Sequence, residues 1–501
     1  MTSDSQILPL FVAIPLGGAF LLALLGKKFS RLPDSLSVIV TLAVFLLSLW
    51  SVRVVHVTGI VVYSVGRWDP PVGIAMVLDG LTAFMLVTVN LIAFLVVIFS
   101  INYMERFTAK WLFYTLFLLM LAGMNGVIVT GDLFNMFVFL EVGAVASYAL
   151  VAYGTERHEL EAAFKYAIMG SLGSLFILLG IAFLYGSTST LNMADMAEQL
   201  DEKDVSDLLI LVSVLFLMGF GLKAAAVPFH AWLPDAHPSA PAPISAMLSG
   251  VLIKSLGIYA LCRVFFNVIG VGAEVSSILM FLGALSMMVG VLLAIWQWDL
   301  KRLLAYHSIS QIGYMLLGIG LGTPLGVLGG LFHVFNHSVF KSLLFLNSGA
   351  VEYATGTRDL QKMGGLAARM PWTSSTTLVA SMSIAGVPPF NGFWSKLLII
   401  IGALQAGRYG YAFWAVLASL LTLASFMKVM RYAFYGRLKD PWQHVKEVPF
   451  SMKLAMATLA VLCVAGGLLL VPAAQEAFLE PACATLVQGK EYAVIVLGEV
   501  R

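Results

Sequence analysis

Apolar residues in this chain come in runs of about twenty, the length a helix needs to cross a bilayer core. Windows of that size predict roughly fourteen spans, near 7–26, 35–55, 79–101, 112–130, 132–153, 161–185, 207–233, 242–266, 275–296, 301–320, 323–350, 373–403, 411–435 and 450–472. Between the second and third spans, GIVVYSVGRWDPPVGIAMVLD alternates β-branched residues around an Asp-Pro-Pro turn and predicts a short extramembrane hairpin. The connector after the sixth span, NMADMAEQLDEKDVSD, reads as an acidic, soluble loop, and the apolar run after the last span is too brief to cross. Lysines follow the first run instead of preceding it and no small-residue cleavage site is evident, so that run is expected to be a retained helix and not a signal peptide.

Composition turns this pattern into a class. The 501 residues are 60% hydrophobic and 11% charged, less than half the charged share of about 25% usual for a soluble domain. With a mean hydropathy of +0.93, the expected fold is an all-α polytopic membrane protein. The net charge of +2 says little as a total, but its distribution orients the chain. With the N-terminus outside, the inner loops hold Lys27, Lys28 and Arg31, then Arg106 and Lys110, Lys301 and Arg302, Arg358, Lys362 and Arg369, and Arg437, Lys439 and Lys446. The acidic stretch from Asp195 to Asp207 then falls outside. The positive-inside rule therefore places both termini on the outer side of a cell membrane. The three cysteines form neither a disulfide framework nor a Cys-x-x-Cys pair, which argues against iron–sulfur or structural zinc ligation. No phosphate-binding glycine loop and no hydrolytic triad order is present, so no cofactor, no metal and no nucleic-acid partner is expected.

Chemistry concentrates between Gly219 and Lys254, where two lysines, two histidines, an aspartate and five prolines interrupt apolar sequence. An ionisable residue at membrane depth costs several kcal/mol and usually marks function. Proline and glycine break the helix there, and broken helices beside buried charge mark ion paths in transporters. Glu141 lies mid-span in FNMFVFLEVGAVASYAL, where it either locks packing or serves transport; its obvious partner is Lys223, beside the break. Lysine suits a proton relay because burial and a movable carboxylate pull its proton affinity in opposite directions. Lys254 is flanked by apolar residues on both sides and is poorly placed to snorkel.

His333, His337 and Lys341 share one helix face at i, i+4 and i+8. A zinc pair lacks further ligands, and a proton wire fits histidine better; plain packing remains the alternative. His307 either joins this line or only hydrogen-bonds. Lys396, just after the second break, suits outward release, while Lys165 either joins the path or snorkels at its helix end. His230, Asp235 and His237 end the broken seventh span and are expected to line a funnel from the cytoplasm. The seventh and twelfth spans look like copies of one interrupted device, and FKYAIMGSLGS around Lys165 echoes FKSLLFLNSGA around Lys341, a pattern typical of inverted-repeat transporters.

The segments KAAAVPFHAWLPDAHPSAPAPISAMLSGVLIKSLGIY, DLKRLLAYHSISQIGYMLLG, HVFNHSVFKSLLFLNSGA and VPPFNGFWSKLLI resemble the antiporter-like subunit family. That family is shared by Mrp-type cation/proton antiporters, respiratory complex I and membrane-bound hydrogenases. The resemblance covers nearly the whole chain. It implies fourteen helices in two inverted five-helix repeats, with helices seven and twelve broken. It divides the chain into N-terminal helices over 1–111, a first repeat over 112–266, a second over 267–440, and helix fourteen with a tail over 441–501. It also implies that Glu141 and Lys223 form a gating ion pair, Lys254 is the central relay and Lys396 the terminal lysine. Within the family the chain is most similar to the D-type member of Mrp antiporters, in its length, in lysine at both Lys254 and Lys396, and in WDPPVGIAMVLDGLTAFM before the third span. The M-type member of complex I typically has glutamate where Lys396 stands, and the longer members carry extra C-terminal helices.

Two functions remain open at this point: a proton-translocating subunit of a Na⁺/H⁺ antiporter, or the pumping arm of a complex I-type or hydrogenase complex whose redox centres lie in other subunits. Both imply other membrane subunits as partners, protons and lipid as surroundings, and Na⁺ in the first case. A stand-alone organic solute carrier is disfavoured, because the Lys-His row offers no substrate pocket.

Overall fold

The computed structural model describes residues 5–202 and 206–500; Asp204, in the acidic connector, lies outside them. The chain is almost entirely helical: α1 (Leu10–Leu25), α2 (Leu32–Thr58), α3 (Gly80–Tyr103), α4 (Lys110–Val129), α5 (Leu133–Val151), α6 (Arg157–Thr188), α7 (Met193–Glu202), α8 (Ser206–Ala224) and α9 (Leu233–Ser239). Next comes α10, over Ala242–Ile269. Then follow α11 (Ala273–Ile295), α12 (Leu300–Gly320), α13 (Pro324–Thr355), α14 (Pro371–Ala385) and α15 (Asn391–Gln405). Helices α16 (Tyr409–Phe434) and α17 (Phe450–Leu470), then α18 (Glu480–Val487) and α19 (Glu491–Val500), complete the chain.

Among the described residues, eleven helices are long and apolar enough to cross a membrane. The other three expected spans correspond to α12 and α13, which carry titratable and amide side chains of the site, and to α14 and α15, which divide the expected twelfth span between them. The expected hairpin is present as β1 (Val61–Ser64) antiparallel to β2 (Ala75–Leu78), with Val61 opposite Leu78. Among the described residues, no helix after α17 is long and apolar enough to cross, but the tail is not loose. Val77, Ala194, Ala197, Tyr492 and Val496 form one small core, tying α19 to the hairpin and to α7. The acidic connector is thus partly a helix with one buried apolar face.

Local sequence explains the helix ends. Asp79 caps α3 by accepting from Thr82 N at 2.8 Å, and Asp132 caps α5 by accepting from Asn135 N at 2.7 Å; side-chain caps of this kind satisfy orphan amides of the first turn. Asp299 caps α12 in the same way, from Arg302 N at 2.9 Å. The last two caps are parts of one repeated device. Leu133 N donates to Leu191 O at 2.8 Å beside an Asp132–Asn192 bridge, and Leu300 N donates to Arg358 O at 3.0 Å beside an Asp299–Asp359 bridge. The threonine before each bridge also matches: Thr190 Oγ1 accepts from Asn192 N, and Thr357 Oγ1 from Asp359 N. The two devices sit at opposite ends of the bundle. The first touches β2 through Gly131 N and Ala75 O, at the start of α3. The second adjoins the end of α13, where Tyr353 packs against Tyr103, the last residue of α3.

Candidate functional site: a buried row of lysines and histidines

The site begins where α8 stops. Ala225 adopts φ +56°; Ala225 N donates to Leu222 O at 3.1 Å and Ala226 N to Gly221 O at 3.0 Å, the Schellman arrangement that ends a helix. Val-Pro-Phe then turns the chain into α9. The carbonyl of Leu222 also accepts from Trp232 Nε1 at 3.1 Å, and Trp232 stacks on Tyr166 with centroids 4.1 Å apart. Lys223, in the last turn of α8, places Nζ 3.3 Å from Glu141 Oε1 on α5. Ser174 on α6 donates to the same carboxylate oxygen. Lys223 is nearly buried, at 4% side-chain exposure, while Glu141 keeps 30%, on a bundle face otherwise made of apolar side chains such as Phe134, Val138 and Val145.

Lys254 is completely buried on α10, the one candidate span whose apolar window is wholly inside the protein. Here the helix widens into π-type turns over Leu248–Leu252 and Lys254–Tyr259, a distortion that recurs at functional sites. Lys254 Nζ donates to the carbonyl of Ser249 and to Gly250 O, the latter at 2.7 Å. No carboxylate contacts it among the described residues.

The row continues on α13. Lys341 is buried, with Nζ 5.6 Å from the centroid of Phe345 and no hydrogen-bond partner among the described residues. His337, also buried, likewise has neither ring nitrogen bonded. His333, with its ring 6.3 Å from that of His337, bonds Ser395 Oγ at 2.9 Å and Gln311 Oε1 at 3.1 Å. His307 on α12 bonds Ser425 Oγ at 2.8 Å.

Lys396 closes the row at the second break. Gly386 has φ +79°, and its N–H and that of Val387 bond Ser383 O and Met382 O, each at 3.0 Å. This is the hydrogen-bond pattern of Ala225 and Ala226, in matching register. Lys396 Nζ donates to the freed carbonyl of Ile384 at 2.7 Å and lies 4.5 Å from the centroid of Tyr314.

The expected funnel is divided. Asp235 and Lys165 line a surface cavity of about 230 Å³ together with Arg302, and Lys165, 49% exposed, pairs with both Asp235 (3.1 Å) and Glu161 (2.8 Å). His237 lies outside that cavity, fully buried and stacked on Phe345 at 4.6 Å. His230 is half-buried and does not line it either. The grouping of the three therefore needs correction: α9 is a helix turn, and it sends Asp235 and His237 to opposite faces.

Several residues that complete the site carry no signal in the sequence. Ser174, Gln311, Tyr314, Ser395 and Ser425 are neutral, although Ser174 lies within FKYAIMGSLGS and Ser395 beside Lys396. Two charged clusters are equally silent there. Arg263 and Asp79 form a buried pair at 2.8 Å. Lys301 reads as a loop charge but is buried, 3.2 Å from Glu352, and donates to Ala240 O at 2.9 Å beyond the first break. No cluster of three or more potential metal ligands occurs among the described residues.

Residues 130–422, which hold every member of the row, match the family described as NADH:quinone oxidoreductase/Mrp antiporter, TM. The chain belongs to this family. Residues 68–114 also match the N-terminus of complex I chain 5. The D-type Na⁺/H⁺ antiporter subunit of Alkalihalophilus pseudofirmus is 36% identical over 86% of this chain and 87% of its own length. The N-type NADH-quinone oxidoreductase subunit of Desulforudis audaxviator is also 36% identical, over 92% of this chain and 94% of its own. Among solved structures, a chain of the Mrp complex from Dietzia superposes with a TM-score of 0.92 at 30% identity, covering 99% of this chain and all of that one. A chain of an archaeal membrane-bound sulfane sulfur reductase superposes at 0.90 with 31% identity, covering 98% and 100%. As a member of this family the chain is a polytopic membrane protein.

Proposed function

We propose that this chain is the proton-translocating D-type member of a multisubunit Na⁺/H⁺ antiporter. The observation that carries the reading is the buried row Lys223, Lys254, Lys341, His337, His333, Lys396, in which, among the described residues, Lys223 alone has a carboxylate partner. A proton arriving from the side of Asp235 and Lys165 reaches Lys223 while Glu141 holds the ammonium in place. Parting of the pair removes that counter-charge, and the proton moves to Lys254. From there Lys341, His337 and His333 pass it to Lys396 and outward. Buried polar atoms need partners, and internal water supplies them where protein does not; the unbonded nitrogens of Lys341 and His337 mark where water completes the wire.

The repeated caps and breaks support two inverted five-helix repeats, over 112–266 and 267–440. The basic connectors all belong to the end of the bundle that holds the second cap, which under the positive-inside rule is the cytoplasmic end of a cell membrane, with both termini outside. Glu141 is partly exposed on an apolar face, where contact with lipid would cost several kcal/mol. A neighbouring membrane subunit covers that face in the assembled complex.

The test is Glu141→Ala in the intact complex, reconstituted in proteoliposomes. Na⁺-driven proton flux should fall to background while every subunit still co-purifies; flux at the original level would remove the gate from the mechanism. The second reading, a redox-driven pump, rests on the likeness to the N-type oxidoreductase subunit and to the sulfur reductase. Iron–sulfur or flavin subunits co-purifying with the chain would decide for it.

A further inference from the structure

A large cavity lies away from the proton row, where α16 ends. It has a volume of about 930 Å³, and its lining includes Trp298, Tyr432 and Tyr435 together with Arg431, Arg437 and Lys439. Its walls are pinned. Gly365 N donates to Tyr435 O at 3.3 Å, Lys439 Nζ to Gln361 O at 2.6 Å, and Trp442 Nε1 to Lys362 O at 3.1 Å. Gly365 has φ +66°, and a Cβ there would run into the Leu438 backbone, so the connector and the strap over it fit together only with glycine at that position. Lys428, one turn back along α16, sits over the Trp298 ring at 4.9 Å, and Trp298 meets Tyr432 edge-on at 5.1 Å.

Arg431 and Arg437 are exposed and have neither an ion-pair nor a hydrogen-bond partner among the described residues. The one carboxylate lining the cavity, Asp440, accepts from Gln443 Nε2 at 3.1 Å. Half-exposed Trp and Tyr side chains at the end of an apolar span mark the headgroup level of a bilayer. Arginine forks match phosphate oxygens in pairs, and basic pockets between helix ends on the cytoplasmic side suit phospholipid headgroups. Further along α11 and α16, which pack together, an apolar groove of about 420 Å³ runs past Phe281, Met288 and Trp414 on the outer surface, with room for an acyl chain.

We infer that this cavity is a binding site for the phosphate headgroup of an anionic phospholipid, held by Arg431 and Arg437 with Trp298 and Tyr432 beside its glycerol. The inference uses the proposed orientation only to place the lipid in the inner leaflet; the site itself does not depend on what drives transport.

The experiment uses the assembled complex, purified in mild detergent and placed in phosphatidylcholine nanodiscs doped with phosphatidylglycerol or with cardiolipin. Tightly held lipid is counted by mass spectrometry. The Arg431→Gln/Arg437→Gln double variant should retain the anionic lipid at least tenfold less well, given roughly fivefold for each basic residue near an anionic surface. The Lys27→Gln/Arg31→Gln pair, basic residues elsewhere on the same face, should leave retention unchanged. Should the double variant fail to assemble, Arg437→Gln alone, on the exposed strap, should show about a fivefold loss. Equal retention by wild type and variant would overturn the site. So would displacement of the lipid by millimolar inorganic phosphate, which would make the cavity a free-phosphate site. Cross-linking from a photoreactive residue at position 437 to another subunit instead of to lipid would overturn it too.

Discussion

The two helix breaks have the same backbone and different chemistry. Each ends a helix with the same pair of hydrogen bonds, one at Ala225 and Ala226 and the other at Gly386 and Val387, and each continues through proline and phenylalanine into a new helix. At the first break Trp232 adds a second donor to the Leu222 carbonyl, which Ala225 N already bonds, and Lys223 pairs with Glu141. At the second, Lys396 itself takes the carbonyl of Ile384, which Pro388 cannot bond, and no carboxylate contacts it among the described residues. The carbonyl end of α14 carries a partial negative charge, so it does part of the work that Glu141 does for Lys223. One break thus holds its lysine in an ion pair, and the other ties its lysine to the end of a helix. In the proposed mechanism the gate needs a partner that can leave and the terminal site one that stays.

That contrast can be broken most severely at the lysines. Lys396→Met should abolish proton flux and also lower the thermal stability of the complex, because Ile384 O loses its donor. Combined with Glu141→Ala, its stability effect should be additive. Lys223→Met and Glu141→Ala should instead be coupled by roughly 0.5–3 kcal/mol, as contacting groups are. Thermal unfolding of these variants and their pairs measures both; coupling between Lys396 and Glu141 would contradict the separation of roles.

A smaller effect is expected at the turn residues. Gly386→Ala places a Cβ 3.0 Å from Lys396 Cδ at φ +79°, so it should destabilise by about 1–2 kcal/mol and slow transport. Ala225→Gly relieves a left-handed alanine but adds freedom to the unfolded chain, worth roughly 0.5–1 kcal/mol, so melting should barely move. A matching loss at both positions would mean that the side chain of Lys396 plays no part. The smallest effect on transport is expected from Trp232→Phe, which keeps the stack on Tyr166 and loses the bond to Leu222 O. It should cost about 1 kcal/mol and leave the flux nearly intact.

The membrane class and the positions of the spans are legible in the sequence because apolar runs of bilayer length have few other uses. The lysines and histidines of the row are legible for the converse reason: charge at membrane depth stands out. What stays hidden is what these groups touch. Ser174, Gln311 and Ser395 look like ordinary helix residues until three helices bring them to a carboxylate or a ring. Lys301 reads as a loop charge because it directly follows a connector, yet the return of α13 buries it against Glu352. Nearness in sequence groups His237 with Asp235, and a single helical turn undoes the grouping. The packing of the tail onto the hairpin and α7 depends on contacts between residues about three hundred to four hundred positions apart, which periodicity cannot show.

The central claim is that protons cross through the buried row, in which Lys254 is completely buried. Na⁺-driven proton flux in proteoliposomes holding the complete complex with Lys254→Met tests it directly. The account predicts background flux from a complex with its full set of subunits; flux equal to that of the unaltered complex would show that protons take another route.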